Sequence, residues 1–357
     1  MNISGATNNI NDPHQNRQPR SRLLRWTRRV LLGLLVTPLA LAGIGASYQA
    51  IATARDVSAF PPPGQMVDVG GYKMHILCTG TEKAGAPTVI LDHVGAANGN
   101  QWGLVQPEIA KTTRVCAYDR AGFGWSERGP TPRSAHQSMS ELHILLGNAG
   151  ISPPYILVGH SYGANVVRLY VAEYPQDVVG MVLVDPGHLF DTPGVSPAMN
   201  TAWKAEDQTI MRLAPYLSRL GVMRLAAVLG ATPTHGDLPA PGGEVFDALN
   251  LTTKFWDTLS DQNQAMAATS KEVLATPQDL GGLPLLVLSA SLPADEGRQA
   301  WTKVNADLAA RSSNGVHRTV AGATHMSLAL NQQQAQATIA AIREVVAAVR
   351  SGERLKP

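Results

Sequence analysis

Cysteine is scarce in this sequence, and no metal-binding pattern accompanies it. The 357 residues include two cysteines, Cys78 and Cys116, which form no C-x-x-C pair. No cluster of histidine and cysteine has the spacing that a tetrahedral zinc site requires. The sequence therefore does not predict a structural metal.

An excess of basic charge is also lacking outside the first 29 residues. The whole chain has a formal net charge of +2, yet six arginines and a single acidic residue lie at positions 1–29. The other residues include about 23 basic and about 26 acidic side chains, a net charge of about −3. Because a phosphate backbone is bound by a basic surface, nucleic acid is not an expected partner.

A stretch without any charged side chain follows the basic segment. Residues 30–54 are rich in Leu, Ala, Val and Gly, and they are long enough to cross a bilayer as one helix. We interpret 1–29 as a basic cytoplasmic tail, because arginines before a membrane span favour the cytoplasmic side. Residues 30–54 are then a transmembrane signal-anchor or a cleaved signal peptide. Their length favours the anchor, whereas Ala50-Ile51-Ala52 resembles a cleavage site. An anchor would hold the body on the periplasmic or extracellular side, and cleavage would secrete it.

The rest of the chain alternates between short apolar runs and helical patterns. After a linker at 55–66, runs such as 155–158 and 181–184 are typical of strands covered on both faces. Amphipathic segments such as 332–350 separate or follow these runs. The alternation predicts an α/β fold with a mostly parallel sheet and flanking helices.

One region interrupts the alternation. Residues 187–282 contain helical patterns but no convincing central strand. We therefore expect a helical cap, inserted after the sixth strand, between the two parts of the core at 67–186 and 283–357.

Residues 159–163, Gly-His-Ser-Tyr-Gly, fit the pattern G-x-S-x-G. The pattern lies between a predicted strand at 155–158 and a predicted helix at 164–174, which is where a serine nucleophile on a strained turn belongs. Both glycines allow neighbouring backbone to approach closely. The free N–H of Tyr162 at the start of the helix could stabilise an oxyanion. Ser161 is the predicted nucleophile.

A second motif extends the pattern. Residues 118–126, Tyr-Asp-Arg-Ala-Gly-Phe-Gly-Trp-Ser, are similar to the D-x-R-G-x-G-x-S turn after a fourth strand, with Ala121 replacing the first glycine. With these two motifs and its order of strands and helices, the chain resembles the α/β-hydrolase superfamily. The resemblance covers about residues 67–357. The resemblance implies the α/β-hydrolase fold and catalytic residues in the chain order serine, acid, histidine. His325, after a short strand and before the last helix, occupies the expected position of the base.

The resemblance leaves two main candidates for the acid. Asp185 directly follows the run 181–184, where some relatives carry the acid. Asp295 comes two or three residues after the slot that other relatives use. We favour Asp185, with Asp295 as the alternative and Glu296 as a third candidate. The acid would orient His325 and stabilise its imidazolium.

The resemblance also implies a second oxyanion donor, besides Tyr162, in the loop after the third strand. This chain departs there from the His-Gly of many relatives. Gly95 is the favoured donor and Val94 the alternative, whereas His93 is interpreted as a residue that structures the loop.

Cys78 and Cys116 fall on the predicted second and fourth strands, which are neighbours in this fold. Outside the cytoplasm they could form a disulfide. Two buried free thiols are the alternative.

These roles describe a serine hydrolase that cleaves a small carboxylic ester through an acyl-enzyme, with no metal or organic cofactor. Epoxide hydrolases and haloalkane dehalogenases of the superfamily use an aspartate nucleophile, so Ser161 argues against them. The alternatives are another activity of the same scaffold (peptidase, C–C hydrolase, perhydrolase or acyltransferase) and an inactive membrane-anchored binding protein.

Overall fold

The computed structural model describes residues 20–82, 86–193, 195–230, 235–276 and 279–356. Most of the predicted basic tail, residues 1–19, lies outside the described residues.

Eight strands form one sheet in the order β1-β2-β4-β3-β5-β6-β7-β8. The strands are β1 (Gln65–Asp68), β2 (Lys73–Thr79), β3 (Thr88–Asp92), β4 (Val115–Tyr118), β5 (Tyr155–His160), β6 (Val178–Val184), β7 (Leu285–Ala290) and β8 (Gly315–Val320). Strand β2 runs antiparallel to β1 and β4, while neighbouring strands from β4 to β8 are parallel. The predicted fold class, a mostly parallel sheet flanked by helices, is confirmed.

Helices cover both faces of the sheet. In chain order, the α-helices of the described residues, both those on the sheet and those outside it, are α1 (Arg20–Ala59), α2 (Gln106–Ala110), α3 (Ala135–Asn148), α4 (Tyr162–Glu173), α5 (Pro197–Arg219), α6 (Val222–Val228), α7 (Gly242–Asn250), α8 (Thr253–Gln264), α9 (Met266–Ala275), α10 (Glu296–Ala309), α11 (Ser327–Leu330) and α12 (Ala335–Ser351). Within β5, Leu157 packs in the apolar cluster that includes α3 and α4, whereas Ile156 and Val158 pack in the cluster that includes α12. Since successive side chains of a strand point to opposite faces, this central strand needs apolar residues throughout.

Helices α5 to α9 lie between β6 and β7 in the chain. Among the described residues of this insertion there is no strand. The insertion is the helical segment expected at 187–282, and we refer to it as the cap.

The N-terminal helix is longer than the predicted membrane segment at 30–54. Helix α1 continues to Ala59, and β1 begins at Gln65. The linker predicted at 55–66 was therefore too long, since its first five residues are helical and its last two belong to a strand. The helix ends where Pro61 follows Phe60, because a residue that precedes proline is disfavoured in the α conformation.

Cys78 and Cys116 lie opposite each other on β2 and β4 and form a disulfide. The two cysteines are separated by 38 residues in the sequence. The alternative of two free thiols is wrong for this structure.

Removing this disulfide should destabilise the protein. In the Cys78→Ala/Cys116→Ala variant we expect the free energy of unfolding to fall by about 2–4 kcal/mol, because the bond restricts the unfolded chain. Urea unfolding of both proteins in the same detergent, followed by tryptophan fluorescence, measures the difference. Reductant should lower the midpoint of the wild type and leave that of the variant unchanged. Equal midpoints for the two unreduced proteins would contradict the expectation.

Candidate active site

Ser161 lies on a sharp turn between β5 and α4. Its backbone has φ 55° and ψ −115°, a conformation that non-glycine residues rarely adopt. Its N–H donates to the carbonyl of Val184 over 3.0 Å, and its own carbonyl accepts the N–H of Gly187 over 2.9 Å. These bonds fix the turn against the end of β6. A strained backbone of this kind is maintained only where the surrounding structure holds it.

The two glycines of the serine motif are required by close backbone contacts. A Cβ atom at Gly159 would lie 2.5 Å from the carbonyl oxygen of Gly163. A Cβ atom at Gly163 would lie 2.7 Å from the carbonyl oxygen of Asp92, at the end of β3. Larger residues at either position would push the turn away from its neighbours.

Asp185 and His325 come together at the carboxyl ends of the parallel strands. His325 Nδ1 lies 2.6 Å from Asp185 Oδ2. Asp185 follows β6 directly with φ 39° and also accepts the N–H of Ala290 at the end of β7 over 3.1 Å. The carboxylate is therefore held by the ends of two strands and not by a free loop.

The surroundings of Asp185 keep its carboxylate ionised. Burial raises the pKa of Asp185, but the hydrogen bond with His325 and the charges of His325 and Arg298 outweigh burial and lower the pKa to about 2. An ionised Asp185 can accept the Nδ1–H of His325 and leave Nε2 free to act as a base.

Asp295 and Glu296, the other candidates for the acid, belong to the start of α10. Asp295 is the N-cap residue, and its carboxylate accepts the N–H of Arg298 over 2.7 Å. Glu296 is the acidic residue of the first helical turn. The structure thus pairs His325 with Asp185 and gives Asp295 a capping role.

The ring of His325 lies beside the serine turn. Its centroid is 4.9 Å from that of His160, the residue before Ser161. Among the hydrogen bonds of the described residues, none involves Ser161 Oγ, so His325 approaches the turn beside His160 and makes no direct bond to the serine oxygen. Catalytic hydrogen bonds of enzymes are often long before substrate binds and shorten in the complex.

A buried chain of hydrogen bonds connects three loops of the site. The N–H of Val94 donates to Gln101 Oε1 over 3.0 Å, and Gln101 Nε2 lies 2.8 Å from His160 Nδ1. His160 Nε2 lies 3.0 Å from the carbonyl oxygen of His325. If Gln101 Nε2 donates, His160 carries its proton on Nε2 and can donate to His325. Burial lowers the pKa of His160 to about 3, which keeps this ring neutral.

The backbone of Gly95 lies next to the nucleophile turn. A Cβ atom at Gly95 would be 3.5 Å from Tyr162 Cβ. No acceptor for the N–H of Gly95 is found among the described residues. The alternative donor, Val94, already donates its N–H to Gln101. Of the two, Gly95 therefore has the amide better placed to meet a ligand beside Tyr162.

Arg120, from the motif at 118–126, binds the loop that contains His93, Val94 and Gly95. Its guanidinium is buried, pairs with Asp92, and donates to the carbonyl oxygens of His93 over 2.6 Å and Val94 over 2.8 Å. His93 Nδ1 lies 2.7 Å from the carbonyl oxygen of Val94, and burial lowers the pKa of this ring well below its usual value. His93 and Arg120 thus structure the loop.

Arg298 was not identified from the sequence. One of its guanidinium nitrogens lies 2.7 and 2.9 Å from the two carboxylate oxygens of Asp185. Arg298 and Asp185 are 113 residues apart, and no local pattern signals their contact. Gln101 was missed for the same reason, whereas His160 was visible within the serine motif.

An apolar pocket of about 270 Å³ adjoins this site. Its walls are formed by Ala96, Met211, Ala227, Phe246, Asp247, Asn250, Leu251, Phe255, Trp256, Leu259 and Met326. Two of these residues are sequence neighbours of the candidate site, since Ala96 follows Gly95 and Met326 follows His325. Within the described ranges, no group of three or more histidine, cysteine or acidic side chains could hold a metal ion.

Comparison with known proteins finds chains that are related to parts of this sequence. Residues 87–220 match the family described as alpha/beta hydrolase fold. An AB hydrolase superfamily protein of Gibberella zeae is 40% identical over 103 residues, which cover 28% of this chain and 32% of that protein. The uncharacterized protein YqjL of Bacillus subtilis is 35% identical over 99 residues, covering 28% of this chain and 39% of that protein. The matches thus span well under half of these relatives.

A solved structure shows the same fold over most of the chain. The esterase of Thermogutta terrifontis superposes with a TM-score of 0.54 and 21% identity, covering 80% of this chain and 97% of that one.

Proposed function

Because this chain belongs to the α/β-hydrolase superfamily, we propose that it is a serine hydrolase that cleaves a carboxylic ester through an acyl-enzyme. The observation that carries the proposal is the pairing of His325 with Asp185 over 2.6 Å, beside Ser161 on its strained turn. The three residues occur in the chain order that this superfamily uses. An aspartate nucleophile, which epoxide hydrolases require, is replaced here by serine.

In the proposed reaction Ser161 Oγ attacks the ester carbonyl carbon while His325 Nε2 accepts the hydroxyl proton. The N–H groups of Tyr162 and Gly95 donate to the oxyanion of the tetrahedral intermediate. His325 then protonates the leaving alcohol as the C–O bond breaks. Water, activated by the same imidazole, attacks the acyl-enzyme and releases the carboxylic acid and free Ser161. Asp185 holds His325 in the required tautomer and stabilises the imidazolium in both steps.

We further propose that α1 anchors the protein in a membrane, with the hydrolase body on the periplasmic or extracellular side. Helix α1 is long and apolar enough to cross a membrane, and its apolar stretch is not buried against the rest of the described chain. The arginines before the stretch favour the cytoplasmic side. The disulfide between Cys78 and Cys116 supports a body outside the cytoplasm, where disulfides persist.

Covalent labelling of the full-length protein by a fluorophosphonate probe, together with hydrolysis of p-nitrophenyl esters, tests the hydrolase proposal. Labelling and hydrolysis are both expected. A folded protein that neither reacts with the probe nor cleaves any ester would instead favour the binding-protein alternative.

The apolar pocket should set the length of the acyl or alcohol group that fits. In Ala227→Trp an indole would occupy part of the 270 Å³ space, so we expect KM for a p-nitrophenyl decanoate substrate to rise by about tenfold or more. The acetate ester should be cleaved as by the wild type.

Ala226→Trp is the matched control, because Ala226 is the neighbouring residue of α6 and does not line the pocket. Equal effects of the two variants on the long ester, or a loss of acetate hydrolysis confined to Ala227→Trp, would contradict this use of the pocket.

A further inference from the structure

The cap carries an exposed apolar surface around α6. Its members, all between 40% and 77% exposed, are Leu220, Val222, Leu225, Val228 and Leu229. We call these five residues the cap apolar patch. The one charged side chain between positions 220 and 229, Arg224, is only 7% exposed. The outer surface of this segment is therefore almost entirely apolar, which is uncommon for a surface that faces water.

Polar contacts fix the patch beside the C-terminal part of α1. Arg224 Nε donates to Gln49 Oε1 over 3.0 Å, and its guanidinium pairs with Asp56 over 2.6 Å. Gln49 Nε2 donates to the carbonyl oxygen of Leu251, after α7, over 2.8 Å. Gln49 and Arg224 are both buried in this contact. The cap and this part of α1 are thus joined by specific hydrogen bonds. The depth of α1 in a membrane therefore determines the position of the patch relative to the membrane surface.

The contact begins near Gly45. A Cβ atom at Gly45 would overlap the carbonyl oxygen of Leu220, and one at Gly221 would lie 3.3 Å from the ring of Tyr48. The first residues of the patch are therefore level with the segment from Gly45 to Tyr48.

The length of α1 sets that level relative to a bilayer. Arg29 is the last charged residue before the apolar stretch. From Arg29 to Tyr48 the helix advances about 29 Å, at 1.5 Å per residue, which nearly equals the roughly 30 Å thickness of a hydrocarbon core. With Arg29 at the cytoplasmic boundary, the outer boundary falls at Tyr48, an aromatic residue of the kind enriched at such boundaries. A tilted helix would draw Gly45 and Tyr48 deeper still.

The same part of the cap also borders the apolar pocket. Ala227 of α6 lines the pocket, while the adjacent Val228 belongs to the patch. The pocket is also lined by Met326, which follows His325 in the chain. The walls of the pocket thus include direct sequence neighbours of both a patch residue and a candidate catalytic residue.

We propose that the cap apolar patch lies in the outer leaflet of the membrane that α1 crosses, and that the pocket receives an ester dissolved in that leaflet. The substrate class is a lipid ester with a long acyl or alcohol chain, cleaved by water into a carboxylic acid and an alcohol. This inference rests on the proposed hydrolase function and on the proposed anchor. Its physical basis is that the free energy falls when five exposed apolar side chains leave water for the acyl-chain region.

A fluorescence measurement, which does not depend on catalysis, tests whether the patch lies in the membrane. Both native cysteines are in the disulfide, so a single added cysteine, Leu225→Cys, can be labelled with the fluorophore NBD in the full-length protein. In phosphatidylcholine vesicles that contain doxyl-labelled lipid, we expect blue-shifted emission and strong quenching. Ile144→Cys, at an exposed apolar position on α3, is the control and should stay unquenched. A Leu225→Cys label that emits as in water, or that is shielded by a second copy instead of quenched by lipid, would overturn the proposal.

Hydrolysis of a membrane-dissolved ester tests whether the substrate reaches the pocket from the membrane. In Leu225→Glu/Val228→Glu, α1 still anchors the protein, but two carboxylates oppose insertion of the patch. We expect hydrolysis of a pyrene-labelled long-chain ester in vesicles to fall by at least about tenfold, with unchanged hydrolysis of water-soluble p-nitrophenyl acetate. Ile144→Glu should affect neither substrate. Unchanged hydrolysis of the vesicle-bound ester in the double variant would overturn the lipid route, whereas a wild type that cleaves neither ester would overturn the hydrolase function itself.

Discussion

Replacing Ser161 with alanine is expected to lower kcat for ester hydrolysis by at least about 10³-fold and to abolish labelling by a fluorophosphonate probe. The reason is chemical: alanine retains the Cβ atom and removes the oxygen that would form the acyl-enzyme. The N–H groups of Tyr162 and Gly95 would remain, so a residual rate above that of water is expected from oxyanion stabilisation alone. Steady-state kinetics with p-nitrophenyl acetate and gel fluorescence after labelling provide the two measurements.

The variant should fold as the wild type does. Ser161 already bears its strain at φ 55°, and alanine has the same backbone preferences there, so the midpoint of thermal unfolding should barely change. Ser140→Ala, on α3, removes a serine hydroxyl that bonds the carbonyl of His136 far from the turn in sequence, and it should keep full activity and labelling. Persistent labelling of the Ser161→Ala protein would mean that another residue is the nucleophile.

The features that could be predicted from the sequence are those with a local signature. Buried parallel strands such as β5 and β6 need apolar side chains on both faces, so they appear as continuous runs. The serine turn is visible because close backbone contacts at Gly159 and Gly163 exclude other residues. The predicted membrane segment stops at residue 54 because the uncharged stretch ends before Arg55, whereas the helix itself continues to Ala59.

Contacts between distant parts of the chain could not be predicted in this way. The bond between Arg298 and Asp185 joins residues 113 positions apart, and that between Gln101 and His160 joins residues 59 apart. Neither an arginine on α10 nor a glutamine before α2 is unusual. Only the fold brings them together. The choice between Asp185 and Asp295 was open for a related reason, because both follow a strand at the same edge of the sheet.

Asparagine at position 185 is expected to lower kcat by about 10³–10⁴-fold, whereas asparagine at position 295 should leave it nearly unchanged. Asp185→Asn would no longer favour the Nδ1–H tautomer of His325, so Nε2 would be protonated and unable to accept the serine proton. Because the pKa of Asp185 is about 2, its carboxylate is ionised throughout the range from pH 5 to 9, so the titration of Asp185 itself should not appear in the wild-type pH profile over that range.

The two substitutions form a matched pair, because asparagine suits both backbones. It tolerates the positive φ of 39° at position 185, and it caps a helix about as well as aspartate does at position 295. Asp185→Asn also leaves the half-buried Arg298 without its carboxylate, so its unfolding midpoint should fall, and rates should be compared well below that midpoint. A loss of activity in Asp295→Asn that equals the loss in Asp185→Asn would show that His325 is oriented by neither carboxylate alone. A loss confined to Asp295→Asn would require the loop before α10 to rearrange when substrate binds, with Asp185 left as the structural partner of Arg298.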